Sequence, residues 1–171
     1  MMVFDLDPGE PATVVECSQV GLWLREALDQ LGLESFPKTS GSKGLQLYVP
    51  LNSGATYAET RPLALGLAQH LEREHPDLVV SSMKKSIRKG KVLIDWSQNH
   101  EKKTTVCVYS LRARERPTVS TPVEWGEVEE VLESGDPELL VFDSEKLLER
   151  VEEHGDLFAP VLELEQPLPE L

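Results

Sequence analysis

Apolar and acidic residues alternate at the start of the chain, in the segment Val3-Phe4-Asp5-Leu6-Asp7-Pro8. Such alternation is typical of a β-strand, because successive side chains of a strand project to opposite faces. Asp5 and Asp7 are therefore predicted to point to the same side. Two neighbouring carboxylates do not both stay ionised without a cation between them, and a divalent metal ion with oxygen ligands suits such a pair.

Farther along, the spacing of apolar residues separates helical segments from extended ones. Steps of three and four predict four helices, over residues 12–31, 57–75, 123–133 and 144–153. Short apolar or β-branched runs predict five strands, over residues 34–38, 45–51, 77–82, 91–96 and 104–109. We expect residues 110–122 to be irregular and residues 159–171, which hold three prolines, to be extended.

This order of elements predicts an α+β (mixed α/β) fold, in which helices flank a mixed sheet. The opening strand is expected inside that sheet, between the strands that carry Tyr48 and Ile94. With 171 residues, 40% of them apolar, the chain can form one domain around its own core. We divide it into a core (1–125), an acidic helical extension (126–158) and a tail (159–171).

Charge is distributed unevenly along the chain. The net charge of −13 by itself argues against a nucleic-acid partner. Residues 36–120, however, carry fourteen Lys or Arg and seven Asp or Glu, whereas residues 121–171 carry sixteen acids and two bases. Because the local field steers a charged ligand, the basic middle favours one that bears phosphates. The acidic end has a simpler interpretation as a solvated surface.

Composition also suggests a compartment. Cys17 and Cys107 lie in apolar segments, and we interpret them as buried thiols of a cytoplasmic protein rather than as a disulfide. The first residues lack the basic region of a secretory signal, and no run of 18 apolar residues predicts a membrane span.

A third acid, Asp95, ends the apolar run of the strand predicted over residues 91–96. Together with Asp5 and Asp7 it gives three acids on strands, with many Lys and Arg residues between them in the sequence. Convergent acids beside cations indicate metal-assisted chemistry on phosphates.

Two segments between these acids are candidate phosphate contacts. The small-residue loop Ser40–Gly44 allows backbone N–H groups to approach a phosphate, and Lys43 adds a charge, although a flexible hairpin turn explains the loop equally well. Lys84–Lys91 holds five bases in eight residues, which fits either a phosphate site or a solvated loop.

Taken together, these segments resemble the polymerase domain of bacterial ligase D, a member of the archaeo-eukaryotic primase superfamily that serves non-homologous end joining. The matching segments, in the right order and spacing, are Val3–Gly9, Thr39–Leu45, Lys91–Asn99, Tyr109–Arg114 and Ser120–Pro122. The resemblance runs from residue 3 to about residue 128. It implies a primase-like nucleotidyltransferase core that extends DNA 3′ ends during double-strand-break repair.

The resemblance also implies roles and partners. Asp5, Asp7 and Asp95 would be catalytic and would hold two Mg²⁺ or Mn²⁺ ions. The residues implied to bind the nucleotide are Ser40, Lys43, Gln46, Lys85, Arg88, Gln98 and Arg112. The implied partners are an NTP or dNTP, DNA ends or a primer-template, a ligase and a Ku-type end-binding protein. The expected location is the bacterial cytoplasm, at the nucleoid.

Two departures from the family pattern affect these expectations. The family has His where this chain has Gln46, and glutamine cannot become cationic. Family members also carry a long segment upstream of the aspartate pair, so we expect a truncated copy, half of a split protein or a fragment of a longer chain. Such a core would expose apolar surface. It should then associate with itself or with a missing N-terminal half, and polymerise weakly alone.

Two other interpretations of the sequence stay open. One is a non-catalytic nucleic-acid or ligase-associated module, which would fit a shortened core. The other is a haloacid-dehalogenase-like phosphatase, a class that also begins with Val-Phe-Asp-Leu-Asp and uses the first Asp as nucleophile. That class expects Thr or Val in place of Pro8 and a late acidic site, for which the chain offers only Gly135-Asp136.

Overall fold

A five-stranded mixed sheet organises the chain. In residues 1–169, the part that the computed structural model describes, its strands are β1 (Met2–Pro8), β2 (Phe36–Thr39), β3 (Leu45–Val49), β4 (Val79–Val80) and β5 (Val92–Asp95). Their order across the sheet is β2-β3-β1-β5-β4; β1 is antiparallel to both neighbours and β4 is parallel to β5. The α+β class and the central place of β1 are confirmed.

Helices and short 3₁₀ turns complete the fold. The helices are α1 (Val14–Gln30), α2 (Tyr57–Glu74), α3 (Trp125–Ser134), α4 (Ser144–His154) and α5 (Pro160–Glu163). The 3₁₀ turns are Lys85–Ile87, Trp96–Gln98 and Pro137–Leu140. No helix within residues 1–169 is long and apolar enough to cross a membrane.

The main core lies between the sheet and helices α1 and α2. Phe4 and Leu6 of β1 are fully buried there, packed with side chains from both helices such as Leu24 and Leu67. Val128 of α3 belongs to the same core. The division of the chain at residue 125 stays a prediction.

A smaller apolar cluster lies on the other face of the sheet. Val3, Tyr48 and Phe36 occupy directly opposite positions in β1, β3 and β2. Phe158 covers them, with its ring centroid 5.0 Å from that of Tyr48 in an edge-to-face arrangement. The aromatic cluster covers only this row of residues. The next row on the same face of the sheet, two residues away along each strand, carries polar side chains.

Three expectations about the second half of the chain were wrong. The first concerns residues 104–109, which form no strand. Thr105 instead contacts the sheet through its side chain, with Oγ1 2.8 Å from the hydroxyl of Tyr48. Tyr109 has a φ of 65°, which is incompatible with a strand. Cys107, outside the sheet, is exposed, although Cys17 is buried and both thiols are free. The third error concerns residues 110–122, which contain the antiparallel strands β6 (Leu111–Arg112) and β7 (Thr118–Val119).

The tail over residues 159–171, which we expected to be extended, contains a short helix. Pro160 begins the short helix α5, because a proline at the first helical position has no N–H bond to lose. The following residues up to 169 form no helix or strand, and the last part of the expectation, residues 170–171, lies outside the described residues.

One side chain continues the sheet where β5 ends. The last paired residues of β1 and β5 are Asp5 and Asp95, so Val3 lies beyond the β5 strand. Asn99, which is 1% exposed, accepts a hydrogen bond from the N–H of Val3 at 2.8 Å and donates one to its carbonyl at 2.8 Å. Its amide therefore takes the place of a strand residue.

Replacing Asn99→Ala should lower the free energy of unfolding by about 2–4 kcal/mol, because two backbone groups lose their partners at about 1–3 kcal/mol each. Urea denaturation followed by circular dichroism measures this change. Gln30→Ala, at the exposed end of α1, is the control and should change little. Equal stability of the two variants would contradict the structural role of Asn99.

Candidate active site

A row of four polar side chains crosses the sheet at the level of Asp5. Lys38 of β2 lies opposite Gln46 of β3, Gln46 lies opposite Asp5 of β1, and Asp5 lies opposite Asp95 of β5. Directly opposite residues in antiparallel strands project to the same face. We call Lys38, Gln46, Asp5 and Asp95 the polar row. Asp5 and Asp95 thus share a face, as the expected convergence of the acids requires.

Asp7 lies on the same face as Asp5, two residues farther along β1, and it is exposed. Its Oδ2 is 3.6 Å from a guanidinium nitrogen of Arg88, whose other nitrogen donates a 2.7 Å hydrogen bond to the carbonyl of Met83. The basic stretch before β5 therefore reaches the acids through Arg88.

Asp95 is held by the turn that follows it. Its Oδ1 accepts hydrogen bonds from the backbone N–H of Ser97 at 2.9 Å and from the Ser97 hydroxyl at 2.6 Å. Its Oδ2 accepts a 3.0 Å bond from the side-chain amide of Gln98. Both oxygens are thus engaged, and Gln98 joins the site through Asp95.

Asp5 is the electrostatically strained member of the site. Its pKa is raised to about 6: burial is the largest cause and the negative charges of Asp95 and Asp7 add to it, while a 3.2 Å hydrogen bond from the Gln46 amide and the charge of Lys38 oppose the rise. Ionised Asp5 therefore lacks a full counter-charge.

These acids suit a metal ion by their chemistry. Their carboxylate oxygens are the donors that Mg²⁺ and Mn²⁺ prefer, and a cation would stabilise the ionised form of Asp5, which burial and the charges of Asp95 and Asp7 disfavour. Within residues 1–169, no three Asp, Glu, His or Cys side chains are already gathered closely enough to hold an ion. Asp7 and Asp95 would exchange part of their present contacts for it.

A cleft of about 290 Å³ opens beside Asp5 and Asp7. The other residues that line it are Leu6, Ser40, Ser42, Lys43, Gly44, Gln46, Thr104, Thr105, Val106 and Arg112. Two cations and several hydroxyls thus face two acids, and this combination suits a ligand that bears both a metal ion and phosphates.

The loop between β2 and β3 forms one wall of this cleft. The hydroxyl of Ser40 accepts hydrogen bonds from the N–H groups of Ser42 at 3.2 Å and Gly44 at 3.1 Å. A Cβ on Gly44 would lie 2.0 Å from the carbonyl oxygen of Leu6, so only glycine lets the loop approach β1 this closely. The loop is ordered by its own contacts, and two of its N–H groups already have a partner.

Lys43 extends from this loop and forms a 2.8 Å ion pair with Glu10. Both side chains are largely exposed, and an exposed pair contributes little stability. Lys43 can therefore exchange Glu10 for a phosphate at small cost.

The structure thus brings most of the sequence-predicted residues to one region. Ser40, Lys43, Gln46 and Arg112 line the cleft itself. Lys85 does not: it is exposed on the 3₁₀ turn Lys85–Ile87 and does not line the cleft.

Sequence reasoning missed Lys38 and the segment Thr104–Val106. A lysine next to a small-residue loop gives no sign of burial, and only the pairing of β2 with β3 brings it into the polar row. Thr104–Val106 belongs to the run predicted as a strand over residues 104–109, yet it lines the cleft. The sequence signal that could have indicated this role is the pair Thr104 and Thr105, whose hydroxyls can contact a polar ligand.

Replacing Asp5→Asn should stabilise the folded protein at pH 7 by about 1–3 kcal/mol, since a raised carboxyl pKa means that ionisation opposes folding. Between about pH 4 and pH 6 the folded wild type binds more protons than the unfolded chain, so its stability falls as pH rises. The stabilisation should therefore vanish below about pH 4.

Urea unfolding of both proteins from pH 3.5 to pH 8 measures this difference. Asp77→Asn, at an exposed position, is the control and should show no such pH profile. A stability difference that does not change with pH would contradict the electrostatic account.

Comparison with known proteins agrees with this geometry. The profile of the LigD primase-polymerase domain matches residues 1–158. The multifunctional non-homologous end joining protein LigD of Mycolicibacterium smegmatis is 46% identical over 160 residues, which make up 94% of this chain and 20% of that protein. The bifunctional LigD of Bacillus subtilis is 36% identical over 155 residues, or 90% of this chain and 24% of that protein.

Among solved structures, the polymerase domain from Mycobacterium tuberculosis ligase D in complex with DNA is similar, with 44% identity and a TM-score of 0.86. The match covers 94% of this chain and 54% of that one. This chain spans about a fifth of the length of the curated relatives named above. The haloacid-dehalogenase interpretation is overturned by these matches: the chain belongs to the LigD primase-polymerase domain family.

Proposed function

We propose that this chain is a metal-dependent nucleotidyltransferase core that adds NTPs or dNTPs to DNA 3′ ends during end joining. The observation that carries the proposal is the cleft beside Asp5 and Asp7, which is also lined by Lys43 and Arg112. Acids for a metal ion and cations for a triphosphate face the same space. Membership of the primase-polymerase family supplies the reaction class.

Asp5, Asp7 and Asp95 would hold Mg²⁺ or Mn²⁺. When bound, such ions lower the pKa of the attacking 3′-hydroxyl and stabilise the charge that develops on the phosphates. The protein's part is to keep three carboxylates on one face, with Asp95 oriented by Ser97 and Gln98.

The remaining polar residues would bind and orient the nucleotide. Arg112 is half-buried in the cleft wall and offers a planar guanidinium that suits phosphate oxygens. Ser40 and Lys43 would act from the loop, and Gln46 from the polar row. Arg88 would contribute charge next to Asp7, and Lys85 would contact phosphate only at the edge of the site.

DNA is the proposed macromolecular partner. The solved relative is a complex with DNA. In this chain Lys84, Lys85 and Lys89 are exposed close to Arg88, where they would meet a phosphate backbone. A ligase, a Ku-type end-binding protein or a second copy would join it at DNA ends in the bacterial cytoplasm.

A non-catalytic nucleic-acid module remains the second candidate. The observation in its favour is that Asp7 already pairs with Arg88 and both oxygens of Asp95 accept hydrogen bonds from the turn that follows it, so neither acid is free of protein contacts. Activity of the isolated chain discriminates between the two functions.

Replacing Arg112→Ala should weaken nucleotide binding by about 1–3 kcal/mol, the value of a charge-assisted hydrogen bond. Titration of a fluorescent dNTP in the presence of Mn²⁺ measures the affinity. Arg73→Ala removes the same charge from the exposed end of α2 and should leave the affinity unchanged. Equal losses of nucleotide affinity in both variants would mean that the effect arises from overall charge and not from a contact of Arg112.

Replacing Asp95→Asn should lower nucleotide incorporation at least about a hundredfold, as expected for loss of a group that stabilises charge in the transition state. Primer extension with Mn²⁺, with NTPs and dNTPs in parallel, measures the rate, and gel-shift assays measure DNA binding. The variant should keep its DNA affinity. If wild type binds DNA yet incorporates nothing, the non-catalytic module is the better description.

A further inference from the structure

Lys38 is a buried cation that the proposed reaction leaves without a role. Its side chain is 0% exposed, and its Nζ donates hydrogen bonds to Gln46 Oε1 at 2.7 Å and to Ser120 Oγ at 2.6 Å. Nζ also lies 5.3 Å from the centroid of the Tyr48 ring. Among residues 1–169, no carboxylate forms an ion pair with it.

Such a residue is costly for stability alone. A buried ammonium loses its hydration, and an apolar side chain of similar volume is often at least as stable in its place. The pKa of Lys38 is lowered to about 8, with burial as the main cause and the charge of Asp5 opposing it. The ammonium therefore stays largely protonated at neutral pH, with Gln46 as its link to the acids.

The bonds of Lys38 decide which way the Gln46 amide faces. An ammonium only donates hydrogen bonds, so it requires the oxygen of the amide on its side. The amide nitrogen is then directed to the opposite side, where it donates to Asp5 Oδ1 at 3.2 Å. Ser120 keeps Lys38 in place, since its hydroxyl donates to the carbonyl of Thr39 and accepts from Nζ.

We propose that Lys38 is a positioning residue that acts through Gln46: it orients the Gln46 amide so that its N–H holds the Asp5 carboxylate toward the metal. This inference rests on the metal site of the proposed function. Without Lys38 the Gln46 oxygen loses its donor, so the side chain is no longer held at both ends and its N–H bond to Asp5 weakens. Asp5 would then leave the orientation that the ion requires.

A binding experiment separates this role from a purely electrostatic one. Lys38→Met keeps the volume and removes the ammonium. Removing a positive charge from the neighbourhood of a metal site should by itself tighten metal binding, whereas loss of orientation weakens it. We expect Mn²⁺ affinity, measured by electron paramagnetic resonance without nucleotide, to fall about tenfold, as for the outer partners of metal ligands.

A double-mutant cycle tests whether the effect passes through Gln46. Gln46→Met should weaken Mn²⁺ binding to a similar degree, and the double variant should bind no more weakly than Gln46→Met alone. Lys146→Met, which removes a charge from exposed α4, is the control and should bind Mn²⁺ like wild type. Additive losses, unchanged binding or tighter binding in Lys38→Met would each overturn the proposal.

A second measurement does not depend on metal binding. In wild type the side-chain NH₂ signals of Gln46, assigned by ¹⁵N NMR, should be dispersed and protected from exchange, and Lys38→Met should abolish this protection. Protected signals in the variant would overturn the role of Lys38. The metal site itself is tested separately: if the wild type does not bind Mn²⁺, or if Asp5→Asn binds Mn²⁺ equally well, the metal site is wrong. The two failures are therefore distinguishable.

Discussion

The register of β1 between its two neighbours is the constraint on which the rest of the structure depends. Phe4 and Leu6 are fully buried between the sheet and the helices, so Asp5 and Asp7 must project to the other side. A shift of one residue would move the acids into the core and the apolar side chains out of it. The burial that stabilises the fold therefore also fixes the face on which the site is built.

The same register concentrates charge at a cost to stability. Burial removes Asp5 from water and strand pairing brings Asp95 directly opposite it, so the pKa of Asp5 rises to about 6, with burial as the larger cause. A fold selected only for stability would not combine burial with neighbouring acids. Local conflicts of this kind are expected at functional sites, where the rest of the structure compensates for them. Here the compensation comes from the core under β1.

Sequence reasoning succeeded where the signal is local and failed where it depends on pairing. The alternation around Asp5 and the apolar run before Asp95 were enough to predict two strands and a shared face. Lys38 was missed because its burial follows only from the pairing of β2 with β3 and from Ser120, which is distant in the sequence. The β-branched run at residues 104–109 was assigned to a strand, but side-chain contacts with Tyr48 decide its path. The β-propensity of a segment does not report such contacts with distant residues.

The contact between Gln46 and Lys38 gives glutamine a specific role at this position. The resemblance to the ligase D polymerase domain implies His at this position, and glutamine, unlike histidine, cannot become cationic. A protonated imidazole would donate from both nitrogens, so it could not accept the bond that Lys38 offers, and two cations would be adjacent. Glutamine accepts from Lys38 and donates to Asp5 in a single orientation. In this chain the positive charge thus lies one strand farther from the acids, and the amide connects it to them.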